Sequence, residues 1–295
     1  MKLDGRRQSS NVDDRRGMSG TAKAGLGLGG ILMIAVITFL SGGNLGDVVS
    51  NVGTQMAQQS QNTEVSDQQQ REFTEEEQKL AVFSSQVLAS TEDIWAKVFQ
   101  KMGRTYQNPK MVLYTNAVQT ACGQGTASVG PFYCSGDQTL YIDLSFFTTM
   151  RKSLGIKNKG DLDFAFAYVI SHEVGHHVEY LLGTLGKAHQ QMNRMSKAQA
   201  NQISVRLELL ADYYAGVWGH YENETFQSID ESDLEEAIET AKVIGDNYLQ
   251  EKARGYSSPE SFTHGTSAQR MRWLKKGLET GDMNTTTFTG SYEDL

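Results

Sequence analysis

Three residues within one short run could assemble a metal-dependent hydrolytic site. His172 and His176 are four residues apart, so on a helix they share one face and can bind the same ion. Glu173 follows His172 directly, within reach of a water at that ion, which a carboxylate can deprotonate as a general base. The H-E-x-x-H pattern in residues 172–177 therefore predicts a catalytic zinc site. A solvated helix that carries these residues by chance is the alternative.

The residues around this motif favour a buried helix. Apolar residues fill positions 164–170 and resume at Val178, and either Gly183 or Gly186 could end the helix. Burying histidines and a glutamate without partners costs several kcal/mol, and a bound metal would remove that cost. Gly175 costs roughly 1 kcal/mol against alanine in mid-helix, so it indicates a need for close packing or access there.

A second predicted helix supplies the third ligand that a catalytic zinc site usually requires. Ser196 can cap this helix, which runs to about residue 221 and carries Glu208. Asp212 shares a face with Glu208 and could accept the second N–H of a ligand histidine, which would fix its tautomer. Alone, E-x-x-x-D also fits a solvated acidic face, but the preceding H-E-x-x-H helix favours ligation. The sequence therefore predicts one zinc ion per chain, bound by His172, His176 and Glu208.

An uncharged apolar stretch lies near the start of the chain, at residues 24–43. Its length suffices to cross a bilayer once as a helix. Six basic residues precede it, and the next one after it is Arg71, so the positive-inside rule predicts a cytoplasmic N-terminus and an exported remainder. A cleaved signal peptide is the alternative, but the leading polar region is long and no A-x-A site follows. We expect an uncleaved single-pass anchor.

The remaining composition divides the chain into segments. Residues 44–72 are rich in glutamine and poor in large apolar residues, which is typical of a flexible linker. A capping box at Thr74 and Glu77 predicts the first helix of the folded domain. The expected segments are a cytoplasmic N-terminus (1–23), a transmembrane helix (24–43), a linker (44–72), a metallopeptidase domain (73–282) and a C-terminal tail (283–295).

Strand composition appears at residues 111–114 and 139–144, on either side of a glycine-rich stretch. With the helices already described, this pattern predicts an α+β domain that is mostly helical with a small sheet. The chain's two cysteines, Cys122 and Cys134, flank the glycine-rich stretch. An exported domain lies in an oxidising compartment, so we expect a disulfide between them. Two reduced thiols are the alternative if the domain is not exported.

These motifs resemble the bacterial family of putative neutral zinc metallopeptidases, which are membrane-anchored, and more broadly the glutamate-ligand zinc peptidases. Many relatives carry a Cys after the Ala-Asp pair, where this chain has Tyr213, a departure that touches no predicted ligand. The resemblance covers nearly the whole chain apart from the linker and the tail. Besides the two metal helices, it is carried by residues 5–17 (GRRQSSNVDDRRG), 130–134 (GPFYC), 141–147 (YIDLSFF) and 262–270 (FTHGTSAQR).

The resemblance implies a zincin-like fold and two further roles. In zinc peptidases of this kind a later histidine or arginine stabilises the oxyanion of the tetrahedral intermediate. By resemblance, His264 is the candidate catalytic residue and Arg270 a weaker one, with an ordinary loop residue as the alternative. The strand around Tyr141 is likewise a candidate for binding an extended substrate, with an ordinary core strand as the alternative.

The sequence thus predicts a zinc metalloendopeptidase in the bacterial inner membrane, with its catalytic domain on the periplasmic or extracytoplasmic side and a peptide or protein as substrate. A zinc-stabilised binding or scaffold protein of the cell envelope, without turnover, is the alternative function. Acidic residues outnumber basic ones, 35 to 27, and the basic residues form no stripe with interleaved aromatic residues. A nucleic-acid partner is therefore not expected. Oligomeric state is left open by the sequence.

Overall fold

The computed structural model describes residues 1–17, 72–126, 130–147 and 163–295. Within these ranges the protein is α+β and mostly helical, with a small sheet. The helices are α1 (Glu75–Lys101), α2 (Asp163–Leu182), α3 (Thr184–Met192), α4 (Lys197–Phe226), α5 (Glu231–Val243), α6 (Asp246–Arg254) and α7 (Ser267–Thr280). The strands are β1 (Val12–Asp14), β2 (Lys110–Tyr114), β3 (Ala117–Thr120), β4 (Gly123–Thr126), β5 (Phe132–Cys134) and β6 (Thr139–Asp143).

Four of the strands form one sheet in the order β1-β2-β6-β5. The pairs β1–β2 and β2–β6 are parallel, whereas β5 runs antiparallel to β6. The two strands predicted at 111–114 and 139–144 are confirmed as β2 and β6. β6 pairs with β2 along its whole length and with β5 at Thr139–Tyr141, so Tyr141 itself has no free edge for a substrate, and the candidate role is wrong at that residue. In the described ranges β5 is an outer strand of the sheet.

Side-chain caps define the helix starts predicted at Thr74 and Ser196. These two residues and Thr266 each accept a hydrogen bond from the backbone N–H three residues ahead, and each forms a full capping box. Helix α1 runs without a break past Thr91, which is buried and whose hydroxyl donates to the carbonyl of Leu88 at 2.7 Å.

Helices α2 and α4 approach each other closely enough that only glycine fits between them. A Cβ at Gly175 would lie 2.8 Å from the carbonyl oxygen of Ala211 and 2.9 Å from its Cα. This contact confirms the close packing predicted from a glycine in mid-helix. Helix α2 ends at Leu182, before Gly183 in the left-handed conformation (φ 79°), which confirms the first of the two predicted stops.

Both termini of the described chain pack on this domain, which differs from the expected segment boundaries. Residues 1–17 contribute β1 to the sheet and bury Leu3. In the C-terminal tail, the Thr287 hydroxyl donates to the carbonyl of Arg206 at 2.6 Å, and Leu295 is buried. The cause in both cases is long-range hydrogen bonding and burial, which local composition does not report.

The predicted membrane helix at 24–43 and nearly all of the predicted linker at 44–72 lie outside the described residues. Within the ranges that the structure describes, no helix combines the length and the apolar character needed to span a membrane. The predicted disulfide is confirmed. Cys122 and Cys134 are bonded, and the bond ties the β3–β4 hairpin to β5.

Candidate active site

Helices α2 and α4 bring the three predicted metal ligands together. One ligand atom from each of His172, His176 and Glu208 lies within 4.8 Å of the other two. The Nε2 atom of His172 is 3.2 Å from one carboxylate oxygen of Glu208, and Nε2 of His176 is 3.6 Å from the other. Two ligand atoms about 2.1 Å from an ion in a tetrahedral site lie about 3.4 Å apart, so these spacings fit zinc.

A buried network from α4 and α7 orients His172. Its Nδ1 lies 2.8 Å from Oδ1 of Asp212, which leaves Nε2 for the metal. Asp212 in turn accepts two hydrogen bonds from Arg270, at 2.8 and 2.9 Å, and one from the Tyr168 hydroxyl at 2.6 Å. Burial opposes ionisation of Asp212, but Arg270 and His172 hold its pKa well below its usual range. The predicted contact of Asp212 with a ligand histidine is therefore present.

The same ion pair decides the position of Arg270. Its guanidinium is buried and bound to Asp212 through two nitrogens. Both of these nitrogens bind the carboxylate that contacts His172, so Arg270 fixes the position of Asp212 in the site. The weaker expectation that Arg270 stabilises an oxyanion is not supported by this geometry.

A residue of α2 itself orients His176. Nδ1 of His176 lies 2.9 Å from Oε2 of Glu179, which again leaves Nε2 for the metal. Glu179 is fully buried, its Oε1 has no partner among the described residues, and burial raises its pKa to about 7. Glu179 is not among the residues predicted from the sequence. Its spacing of three residues from His176 on a buried helix was the signal that could have found it.

Glu173 follows His172 on α2 and interacts electrostatically with all three predicted ligands. Its side chain is buried, and burial raises its pKa against the opposing influence of His172 and His176. Among the described residues its carboxylate has no hydrogen-bond or ion-pair partner. A buried carboxylate left without a fixed partner next to a ligand set is positioned to exchange a proton with a bound water.

His264 approaches the site from the loop before α7 and is held by Asp246. Oδ2 of Asp246 accepts the backbone N–H groups of Thr263 and His264, both at 2.7 Å, and of Gly265 at 3.1 Å. Oδ1 of Asp246 lies 3.1 Å from Nδ1 of His264. The His264 side chain remains 37% exposed to solvent.

The charge of the predicted ligand Glu208 acts on the imidazole of His264. Burial lowers the pKa of His264, but the charges of Glu208 and Asp246 outweigh it and raise that pKa above its ordinary value. Asp246 is not among the residues predicted from the sequence, because 18 residues separate it from His264 and no local pattern connects them.

Strand β5 is anchored beside the metal helix. The Tyr133 hydroxyl donates to Nδ1 of His177 at 2.8 Å, since Nε2 of His177 donates to the carbonyl of Gln107 at 2.7 Å. Burial lowers the pKa of His177 to about 4, which keeps the ring neutral. His177 is thus a structural residue of α2 that fixes the outer strand next to the site.

Two histidines on one helix and a glutamate on a neighbouring helix make up a group that could bind a metal ion, in the pattern of a glutamate-type zinc site. The chain belongs to the family described as "Putative neutral zinc metallopeptidase", which it matches over residues 1–288. This confirms the resemblance found in the sequence and supports a zinc metallopeptidase.

Relatives occur in distant bacteria. The chain is 44% identical over 290 residues to the uncharacterized protein YpfJ of Escherichia coli K12, with 96% of each chain covered. It is 39% identical over 188 residues to the uncharacterized protein Rv2575 of Mycobacterium tuberculosis H37Rv, with 61% of each chain covered. No solved structure matches this chain.

Proposed function

We propose that this protein is a zinc metalloendopeptidase of the cell envelope with a zincin-like site. The observation that carries the proposal is the placement of Glu173. Zinc binding needs only His172, His176 and Glu208, yet Glu173, the residue after His172 on α2, carries a buried carboxylate that interacts electrostatically with all three. A structural zinc site has no use for such a group, whereas hydrolysis requires a base at that place.

The donor set fits zinc in chemistry as well as in spacing. Both histidines have Nδ1 engaged by a carboxylate, so each presents Nε2 as a neutral ligand with raised basicity. His172, His176 and Glu208 would hold the ion and leave a fourth position open. When bound, zinc would supply a Lewis acid that acidifies water and polarises the scissile carbonyl.

Glu173 would perform the proton transfers of the reaction. Its carboxylate takes a proton from the attacking water and then delivers it to the nitrogen of the leaving amine. The burial that raises its pKa also favours the protonated state that the second transfer needs. Nothing else in the described part of the chain provides an uncommitted carboxylate at the ligand set.

His264 would stabilise the negative charge that develops on the carbonyl oxygen. Asp246 fixes both the backbone and the ring of His264, and with Glu208 it favours the charged imidazolium. A positive donor held in place before the reaction is the arrangement that stabilises an oxyanion. Asp246 is then a positioning residue, acting through His264.

The substrate would lie along β5. Pairing with the side of β5 that has no strand partner in the described ranges would supply main-chain hydrogen bonds and requires no chain terminus, which favours endopeptidase action. Tyr133 anchors β5 to α2, and Cys134 anchors it to the β3–β4 hairpin. The disulfide also supports an extracytoplasmic domain, and residues 24–43 would associate the protein with the membrane.

Zinc stoichiometry of the full-length protein tests the ligand set. Elemental mass spectrometry should find one zinc per chain in the wild type and a strongly reduced content in Glu208→Gln. Glu224→Gln is the matched control, because it changes an exposed glutamate on the same helix α4 and should keep full zinc content. A folded wild type without zinc would overturn the proposal and favour the binding or scaffold alternative.

Hydrolysis of denatured casein by the zinc-loaded protein tests the role of Glu173. Glu173→Gln should lose activity by several orders of magnitude while retaining its zinc, because only the base is removed. Full activity in this variant would refute the mechanism. A zinc-loaded wild type with no activity would instead favour a scaffold.

The pH dependence of the same assay tests Asp246. The imidazolium of His264 is lost as the pH rises through its pKa, which Asp246 helps to raise. Asp246→Asn should therefore move the alkaline limb of the activity profile to lower pH and leave zinc content unchanged. A uniform drop in activity at every pH would indicate a merely structural role for Asp246.

A further inference from the structure

Residues 1–17 complete the buried surface of the domain. The guanidinium of Arg6 binds the carboxylate of Glu222 on α4, and Glu222 is fully buried. The hydroxyls of Ser90 and Ser228 also donate to Glu222, at 2.5 and 2.7 Å. Arg6 is thus the cation of a buried polar cluster, and without it Glu222 would be an uncompensated buried charge.

A second buried carboxylate depends on the same segment. Glu92 on α1 is 4% exposed and accepts hydrogen bonds from Ser9 at 2.5 Å, Asn11 at 2.7 Å and Arg7 at 2.9 Å. All three donors come from residues 1–17. Beyond them, β1 pairs in parallel with β2 and covers an edge of the sheet that would otherwise be open. The segment is therefore an integral part of the domain.

The chain leaves and re-enters the domain at one corner. The guanidinium of Arg16 donates to the carbonyl of Glu77 at 2.7 Å and lies 4.2 Å from the ring centroid of Phe73. The two described ends, residues 17 and 72, therefore lie beside each other. Residues 18–71 join them, including the apolar stretch at 24–43.

This arrangement is incompatible with a single membrane crossing between the two ends. One crossing needs about 20 apolar residues, and two crossings would need about 40. The apolar stretch suffices for one, and the residues after it are too polar to return through lipid, where backbone and side-chain polar groups stay unsatisfied. A single crossing would separate Arg6 from Glu222 and β1 from β2.

We propose that residues 1–17 lie in the same compartment as residues 72–295, so that residues 18–71 do not divide the chain between two sides of a membrane. The opposing argument is the positive-inside rule. However, arginines that favour a cytoplasmic N-terminus also pair with carboxylates in the folded domain, Arg6 with Glu222 and Arg7 with Glu92 and Asp93. This inference is independent of catalysis.

Labelling with a membrane-impermeant maleimide tests the proposal on the full chain. Ser10→Cys and Ser232→Cys place single thiols at exposed positions, one in each part, and the native cysteines are silent in their disulfide. In intact spheroplasts of a Gram-negative host, we expect both variants to react to the same extent. Equal protection before lysis and equal reaction after it would also support one compartment, although a cytoplasmic one. Reaction of Ser232→Cys before lysis and of Ser10→Cys only after lysis would overturn the proposal.

An engineered cross-link tests the contact itself. The backbone N–H of Ser9 donates to the carbonyl of Ser85 at 3.1 Å, so Ser9→Cys with Ser85→Cys should form a disulfide in cells, detected by mass spectrometry of unreduced peptides. Ser10→Cys with Ser85→Cys is the matched control, since the neighbouring side chain is exposed. Failure of the 9–85 pair to link above this control, in protein whose two parts label differently, would remove the contact on which the proposal rests.

Discussion

The two ligand histidines are held by carboxylates with opposite surroundings. Asp212 reaches His172 from another helix and is itself paired with Arg270 and Tyr168. Glu179 reaches His176 from the same helix, and among the described residues its second oxygen has no partner. Both leave Nε2 of the histidine for a metal, but only Asp212 also joins three helices.

The electrostatic difference follows from this. Burial acts against both carboxylates, but the Arg270 guanidinium holds the pKa of Asp212 low. Without such a cation, burial raises the pKa of Glu179 to about 7. Two carboxylates that make the same contact to a predicted ligand histidine can therefore contribute differently to the free energy of unfolding. Changes at Asp212 should damage fold and site together, whereas changes at Glu179 should damage only the site.

Loss of the Asp212 charge should have the largest effect. Asp212→Asn leaves the buried Arg270 without its counter-charge, so we expect a loss of about 3–5 kcal/mol in the free energy of unfolding. Zinc affinity should fall at least tenfold as well. Urea denaturation and a zinc competition assay measure the two effects. Asp4→Asn, at an exposed position, is the control, and equal stability of the two variants would contradict the joint role of Asp212.

Adding a methyl group at Gly175 should weaken the contacts that cross between α2 and α4 but not the contact between His176 and Glu179. Gly175→Ala places a Cβ against the backbone of Ala211, which forces α2 and α4 apart and costs about 1–3 kcal/mol. The contacts of His172 and Glu208 cross this interface, so zinc affinity should fall, while the His176–Glu179 contact stays within α2.

The matched control for this change is Gly186→Ala. A Cβ at Gly186, within helix α3, meets no atom within 4 Å, so alanine should raise helix stability by roughly 0.5–1 kcal/mol. Thermal unfolding of the two variants should therefore shift in opposite directions. A Gly175→Ala variant as stable as this control would show that the helices can separate without cost.

The features that the sequence predicts are those set by residues close together in the chain. His172, His176, Glu208 and Asp212 follow from spacing on two helices, because residues four apart share a face whatever the rest of the fold does. The role of Gly175 is also predictable, since glycine destabilises the middle of a helix and its presence there indicates close packing. These features are local, and the capping boxes at Thr74, Ser196 and Thr266 belong with them.

Features that depend on distant contacts were not predictable in this way. Asp246 and His264 meet across 18 residues, and Arg6 and Glu222 across 216. The segment 1–23 is predicted from its charge and its position before an apolar stretch, and neither feature indicates that residues 12–14 form a strand that pairs with β2. The composition of a segment indicates only whether that segment could form a core by itself. Residues 1–17 instead pack on α1, α4 and β2, which lie elsewhere in the chain.

Neutralising Glu179 should separate orientation of a ligand from stability of the fold. Glu179→Gln keeps an oxygen for the His176 N–H but removes a buried charge with which no lysine or arginine of the described residues pairs. Zinc affinity should fall about 10- to 100-fold, with the free energy of unfolding unchanged or slightly raised. Isothermal titration and urea denaturation measure the two quantities, with Glu224→Gln on α4 as the control. A loss of stability as large as that of Asp212→Asn would erase the proposed difference.

The smallest effect is expected from the Tyr168 hydroxyl. Tyr168→Phe removes one of the hydrogen bonds to Asp212 but leaves the Arg270 pair in place, so stability should fall by about 0.5–1.5 kcal/mol. Zinc affinity should change little, because Arg270 still fixes the carboxylate. Tyr256→Phe, at a side chain 60% exposed, is the control for loss of a hydroxyl in urea denaturation. A large loss of zinc from Tyr168→Phe would mean that the tyrosine, and not the arginine, sets the position of Asp212.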